Sequence, residues 1–194
     1  PLLGKVKEYL AAKGLPVDSH DLIITTGAQQ ALNLIAKVML DSGDTVLTEY
    51  PSFIGALAAF KSYGAQTVGV AMDDEGIDLE ALEKAYASIP NKPKILYINT
   101  HFHNPAGITY SPDRKQQLIE FLKSTSMILL EDDPYNELFF DEKDRDLTVP
   151  IAAMDHGKTP VCYVGSFAKI FGPGMRLGWV LGPKEIIEKC ELAK

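Results

Sequence analysis

The chain has 194 residues, 46% hydrophobic and 23% charged, with 19 Lys and Arg against 26 Asp and Glu for a net charge of −7. That is the make-up of an ordinary globular domain long enough to bury a sizeable core, and its acidic balance argues against a nucleic-acid-binding surface. Two cysteines, Cys162 and Cys190, are too few for a disulfide scaffold and suit a reducing, cytoplasmic setting, and no run approaches the roughly 20 apolar residues of a membrane-spanning helix.

The chain opens on PLLGKVKEYLAAKGLPV, an amphipathic helical pattern with Leu2, Val6 and Leu10 spaced by four. It lacks an initiator methionine and the residue order of a signal peptide. Short β-branched runs then alternate with helical stretches. DLIITT leads into GAQQALNLIAKVMLDSG, and TVLTEYP into SFIGALAAFKSYG. QTVGVAM precedes the helical LEALEKAYAS, and KILYINT precedes a helix beginning SPDRKQQLIEFLK. MILLEDD, the polar surface loop DEKDRDLTVP, VCYVGS and RLGWVLG follow, and PKEIIEKCELAK closes on a helical pattern. This alternation predicts an α/β fold: one domain over residues 1–194, built on a mostly parallel seven-stranded sheet with helices on both faces. The chain begins in one helical pattern without an initiator methionine and ends inside another with no Gly or Pro to stop it, so it reads as a piece of a longer protein.

Open sheets of this kind bind ligands at the carboxyl ends of their strands, and unusual residues recur at those positions. After DLIITT, Gly27, Ala28 and Gln29 open a helix whose free N–H groups suit a phosphate, although a plain strand-to-helix turn explains them too. They match neither the dinucleotide fingerprint nor the P-loop. After TVLTEYP stands Phe53, an aromatic able to cover a flat ligand or to fill core. After KILYINT comes His101-Phe102-His103-Asn104-Pro105-Ala106-Gly107, where Asn104 is either a turn residue or a donor. His101 and His103 have no partner at metal-ligand spacing, and no metal site is expected. Glu131, Asp132 and Asp133 end an apolar strand just before Tyr135. They read as a solvated loop, a divalent-metal site or the partner of a protonated ring nitrogen. After VCYVG, Ser166, Lys169 and Arg176 lie among apolar and glycine residues, company expected to depress a lysine's pKa and free its amine for attack on carbonyls. Arg176 suits a phosphate.

Together these residues ask for a ligand with a phosphate, a flat ring, a basic ring nitrogen, a phenolic oxygen and an aldehyde. Pyridoxal 5′-phosphate carries all five. SFAKIFGPGMRLGW resembles the Ser-x-x-Lys…Arg signature of the fold type I, aspartate-aminotransferase-like family of pyridoxal-phosphate enzymes, and GAQQAL, E-Y-P-S-F, H-N-P-A-G and E-D-D-P-Y recur in that family's order across essentially the whole chain. The motifs are most similar to aminotransferases acting on 2-aminoadipate, aromatic and branched-chain amino acids.

The resemblance implies that residues 1–194 form the large, cofactor-binding domain and that Lys169 forms the Schiff base and then moves the substrate's α-proton. It also implies that Asp132 pairs with the pyridinium nitrogen, the Asp-x-x-Tyr spacing selecting it over Asp133. By the same carry-over Asn104 and Tyr135 bond the phenolic oxygen, Phe53 stacks on the ring, and Gly27, Ala28, Gln29, Ser166 and Arg176 hold the phosphate. Ala168 departs from the Ser or Thr often found beside the lysine. The implied reaction moves an amino group from an amino acid to a 2-oxo acid in a cytoplasmic homodimer, without a membrane or nucleic-acid partner for this domain. The arginine for the substrate α-carboxylate then belongs to a small C-terminal domain beyond this chain. Two alternatives stand beside this reading. The same cofactor serves lyases, synthases and decarboxylases. Regulators of the MocR type, in the GntR family, fuse a winged-helix domain to the same fold, and they typically read E-D-D-Y-D where this chain reads E-D-D-P-Y.

Overall fold

A computed structural model describes residues 1–194, and each of the seven apolar runs forms a strand in it. In chain order the strands are β1 (Asp21–Thr25), β2 (Thr45–Tyr50), β3 (Gln66–Asp73), β4 (Gly76–Ile77), β5 (Ile95–Ile98), β6 (Ile128–Asp132), β7 (Val161–Ser166) and β8 (Gly178–Gly182). The sheet therefore has eight strands, not seven. The addition, β4, is a two-residue return of β3 formed where the Asp73 carboxylate accepts the Glu75 N–H and closes a tight turn. A segment of two residues carries no alternation, so no pattern in the sequence marks it.

The strands lie in the order β1-β8-β7-β6-β5-β2-β3-β4. β3, β2, β5, β6 and β7 are mutually parallel, whereas β8 is antiparallel to both β7 and β1. The carboxyl ends of β1, β2, β5, β6 and β7 thus share one edge of the sheet, and β8 begins there. Within the parallel run β2, β5, β6 and β7 are buried on both faces, which is why they are largely apolar rather than alternating, whereas β3, nearer the edge, is mostly exposed.

Seven α-helices cover the sheet: α1 (Leu2–Ala12), α2 (Ala28–Met39), α3 (Ile54–Ser62), α4 (Leu79–Ser88), α5 (Pro112–Lys123), α6 (Ile151–Met154) and α7 (Lys184–Ala193). One face packs Val6 and Leu10 of α1, Leu82 of α4 and Leu118 and Leu122 of α5 against Leu96, Ile98 and Leu129. The other packs Leu32 and Ile35 of α2, Phe60 of α3 and Ile187 of α7 against Tyr97, Leu130 and Val164. Two helix starts, those of α4 and α5, are capped by side chains. Asp78 accepts the Ala81 N–H, and Ser111 accepts the Arg114 N–H ahead of Pro112. The polar stretch after β6 is exposed as expected, but part of it winds into a 3₁₀ turn, Glu142–Thr148, started by the Asp141 carboxylate.

Candidate active site

The loops leaving β1, β2, β5, β6 and β7 and the loop entering β8 enclose a cavity of about 250 Å³ at the carboxyl edge. All ten residues singled out in the sequence line it. Gly27, Ala28 and Gln29 come from the start of α2, Phe53 from the N-cap of α3 and Asn104 from the loop after β5. Asp132 and Tyr135 come from the end of β6, and Ser166, Lys169 and Arg176 from the loop between β7 and β8.

The start of α2 is built open. Gly27 holds φ 112° and ψ 168°, and no side chain caps the helix. A Cβ at Gly27 would stand 3.3 Å from Arg176 Nη2, so glycine is what lets the guanidinium lie against the turn. The Ala28 and Gln29 N–H groups have no carbonyl ahead of them in the helix, and together with the helix dipole and Arg176 they form an anion-binding corner. Arg176 itself adopts the left-handed conformation, φ 46° and ψ 39°, at the end of the Pro173–Met175 turn. Such strain in a non-glycine residue collects at binding sites, where the surrounding structure enforces it.

Beside this corner Asn104 Nδ2 donates to Tyr135 Oη at 3.3 Å, which groups two donors on one wall. Lys169 Nζ lies 5.8 Å from the centre of the Tyr135 ring. Gln29 donates its side-chain amide to the Gly55 carbonyl at 3.0 Å, tying α2 to α3 and so to Phe53. Ser166 is buried, and its hydroxyl donates to the Leu177 carbonyl and accepts the Ala168 N–H.

Two expectations need correction. Lys169 and Arg176 stand exposed at the mouth of the cavity, although their sequence neighbours are apolar. The apolar neighbours point elsewhere: Phe167 packs among Tyr9, Phe171 and Trp179, away from the charged groups. The Glu131-Asp132-Asp133 run is no solvated loop, for all three side chains are buried.

Strand alternation sends these carboxylates to different places. Asp132 faces the cavity. Glu131 points to the opposite face, where it accepts the Thr100 hydroxyl and the Ile151 and Ala152 N–H groups. Asp133, just past the strand end, takes His101 Nδ1 at 2.7 Å, the Asn136 amide and the Tyr163 hydroxyl. His101 and His103 do not converge. His103 accepts the Ala106 N–H on Nδ1, so Nε2 carries the proton and donates to Glu49 at 3.0 Å. Lys115, 1% exposed, places three donors on His101 Nε2 and the carbonyls of Leu147 and Val149. Burial nonetheless pulls its ammonium down to about 8, against the pull of Glu131 and Asp133.

Two residues beside Asp132 escaped the sequence reading. Asn99 lines the cavity, accepts the Asn104 N–H at 2.8 Å and donates to the Asp132 carbonyl, tying the β5 and β6 loops together. Tyr97 donates to Asp132 Oδ2 at 2.9 Å. Asn99 ends an apolar strand run, a position that can be read. Tyr97 sits inside that run and looks like core.

Asp132 also supplies the test of whether the cavity suits a cationic aromatic ligand. Its other oxygen, Oδ1, is buried with no hydrogen-bond partner. Burial pushes the carboxyl from 3.8 up to about 7. A buried, unpaired carboxylate is costly until a cation or a donor meets it. With an anion corner at one end, an aromatic wall and an amine at the mouth, the residues present fit a phosphorylated pyridine aldehyde such as pyridoxal 5′-phosphate.

The comparisons with known proteins agree with this geometry. The family model for aminotransferase class I and II matches residues 3–194. An aromatic-amino-acid aminotransferase of Thermococcus litoralis is 37% identical over 100% of this chain, which covers 46% of that protein. A solved structure of Pyrococcus horikoshii kynurenine aminotransferase, in complex with PMP, superposes with a TM-score of 0.91 at 39% identity, over 100% of this chain and 48% of its own. The HTH-type transcriptional regulator YisV of Bacillus subtilis is 36% identical over 95% of this chain and 37% of the regulator. The chain therefore spans about half the length of the two aminotransferases and less of the regulator.

Proposed function

The chain belongs to the class I and II aminotransferases, and from that premise we propose that residues 1–194 are the pyridoxal-5′-phosphate-binding domain of an enzyme that moves an amino group from an amino acid to a 2-oxo acid. The observation that carries the reading is the buried Asp132 Oδ1 without a partner, in a cavity that also holds an amine, an aromatic wall and an anion corner. When bound, pyridoxal phosphate supplies an aldehyde that captures amines and a conjugated ring that takes up negative charge.

The roles of the chain's own residues follow from their placement. The uncapped start of α2, with Ala28 and Gln29 on the Gly27 turn, Arg176 and Ser166 hold the phosphate. Asp132 keeps a proton on the ring nitrogen, because a carboxylate that far from water is stabilised most by a cation. Asn104 and Tyr135 hydrogen-bond the phenolic oxygen, and Phe53 covers the ring. Lys169, exposed at the mouth, is the covalent anchor and the base that moves a proton at the substrate's α-carbon. The chain's similarity to enzymes named for aromatic amino acids and kynurenine favours an aromatic or long-chain amino acid as donor. Tyr50 at the end of β2, Ile54 at the start of α3, and Phe171 and Met175 between β7 and β8 are exposed, apolar surface that suits a second subunit in a homodimer. The two cysteines are free and buried, which suits the cytoplasm, and no helix is long and apolar enough to cross a membrane.

The test is the absorbance spectrum of the chain with added pyridoxal phosphate, before and after borohydride, beside Lys169→Ala. The reading expects a band that borohydride fixes covalently to Lys169 and that the variant lacks. A folded wild-type chain that fixes no cofactor overturns it. The similarity to YisV favours a second reading, a ligand-sensing domain of a transcription regulator. Release of a 2-oxo acid from a donor amino acid by the full-length protein selects the enzyme. Specific DNA binding without turnover selects the regulator.

A further inference from the structure

Asp132 is held by one donor. Tyr97, on β5 beside β6, is wholly buried and puts its hydroxyl 2.9 Å from Asp132 Oδ2, and no other side chain or N–H group bonds that carboxyl. The Tyr97 ring is fixed in turn by the edge of Phe60 from α3, ring centres 5.5 Å apart at 70°. Burial, reinforced by the charge of Asp132, holds the phenol well above its ordinary 10.0, so it stays an O–H donor at any working pH. A tyrosine inside an apolar strand run has no packing need for its hydroxyl. Phenylalanine would fill the same space, and the oxygen is used for one contact.

We propose that Tyr97 is a positioning residue: by holding Oδ2 it fixes the plane of the Asp132 carboxyl, stabilises its ionised form and leaves Oδ1 as the free acceptor for a protonated ring nitrogen in the cavity. This rests on the cofactor reading above and deepens it. The other groups that bear on Asp132 give it no hydrogen bond. Glu49 from β2 and the adjacent Asp133 raise its pKa by like charge, and the cations lining the same cavity, Lys169 and Arg176, stand at its exposed mouth. Tyr97 is thus the one group inside the fold that favours the charged carboxylate by direct contact.

Two measurements on the wild-type chain, Tyr97→Phe, Asp132→Asn and the double variant test this. The first follows the Asp132 carboxyl through pH by ¹³C NMR without any ligand. The second measures binding of pyridoxal 5′-phosphate and of its 1-deaza analogue, in which carbon replaces the ring nitrogen. Loss of a hydrogen bond to a charged group should move the Asp132 midpoint upward and weaken pyridoxal phosphate about ten- to hundred-fold. The deaza analogue should be nearly unaffected, and Tyr97→Phe should add nothing once Asp132 is Asn. An unmoved midpoint overturns the proposal. So does equal weakening of both ligands, which marks a packing role only. A wild-type chain that binds neither ligand while the midpoint still moves refutes the cofactor reading and leaves the control of Asp132 by Tyr97 standing.

Discussion

The two faces of β6 at its carboxyl end differ in how completely their polar groups are satisfied. On one side Glu131 and Asp133 have donors on both oxygens, supplied by Thr100, His101, Asn136, Tyr163 and the first amides of α6, with Lys115 closing the far end through His101. On the other side Asp132 has one donor and one buried oxygen with none. Helix starts repeat the contrast. α4 and α5 carry side-chain caps and the first amides of α6 bond Glu131, whereas α2, at the cavity, begins on an uncapped glycine. α1 and α7 also begin uncapped, so it is the pairing of the open α2 turn with Arg176 that sets the cavity apart. A completed network ties strands and loops together and has nothing left to offer a ligand. An incomplete one costs stability in the free chain, and the ligand recovers that cost. Carboxylates one residue apart therefore differ in what they have left to offer a ligand.

The comparison breaks most readily at Lys115. Lys115→Met strips His101 and two carbonyls of their donor and leaves Glu131 and Asp133 without a cation. The expected loss is about 3–5 kcal/mol in urea unfolding, with cofactor affinity little changed in the fraction that folds. A variant of normal stability and poor affinity would reverse the assignment of the two faces. Asp132→Asn should do the opposite, weakening pyridoxal phosphate about ten- to hundred-fold while stabilising the free chain at neutral pH. The sign follows from linkage. The folded carboxyl titrates near 7 rather than 3.8, so the folded state holds an extra proton between those values and its stability falls as pH rises through that window. Melting curves of the ligand-free chain should show that fall in wild type and lose its Asp132 part in the variant.

Gly27→Ala forces a Cβ into a positive-φ turn against Arg176. A strain of about 1–3 kcal/mol is expected, together with weaker binding of inorganic phosphate by isothermal titration. Unchanged phosphate binding would detach the α2 turn from the anion corner. The smallest effect belongs to the capped side: Ser111→Ala at the start of α5 should lower stability by about 1 kcal/mol and leave ligand affinity untouched.

Much of this was legible in the chain of residues. Seven runs of β-branched and apolar residues mark seven strands, most plainly β2, β5, β6 and β7, where burial on both faces calls for apolar residues along the strand. The rule that parallel sheets bind at their carboxyl edge then drew attention to Gly27, Phe53, Asn104, Asp132, Tyr135, Ser166, Lys169 and Arg176, all of which line one cavity. Less could be read where neighbours in space are far apart in sequence. β4 was too short to show a pattern. Lys169 and Arg176 seemed buried by their apolar neighbours, yet Phe167 takes that apolar surface to Tyr9 and Trp179 and leaves both cations exposed. Tyr97 read as core because its one polar contact lies 35 residues away.

The sequence alone determined the α/β alternation, the strand runs and the residues delivered to the sheet edge, since each follows from local periodicity and turn chemistry. Tertiary structure decided which of three consecutive carboxylates meets the cavity and which donors complete the other two. Alternation along β6 separates Glu131 from Asp132, but the side that holds the cavity is set by the helices packed on each face, and those contacts join residues that local sequence does not connect.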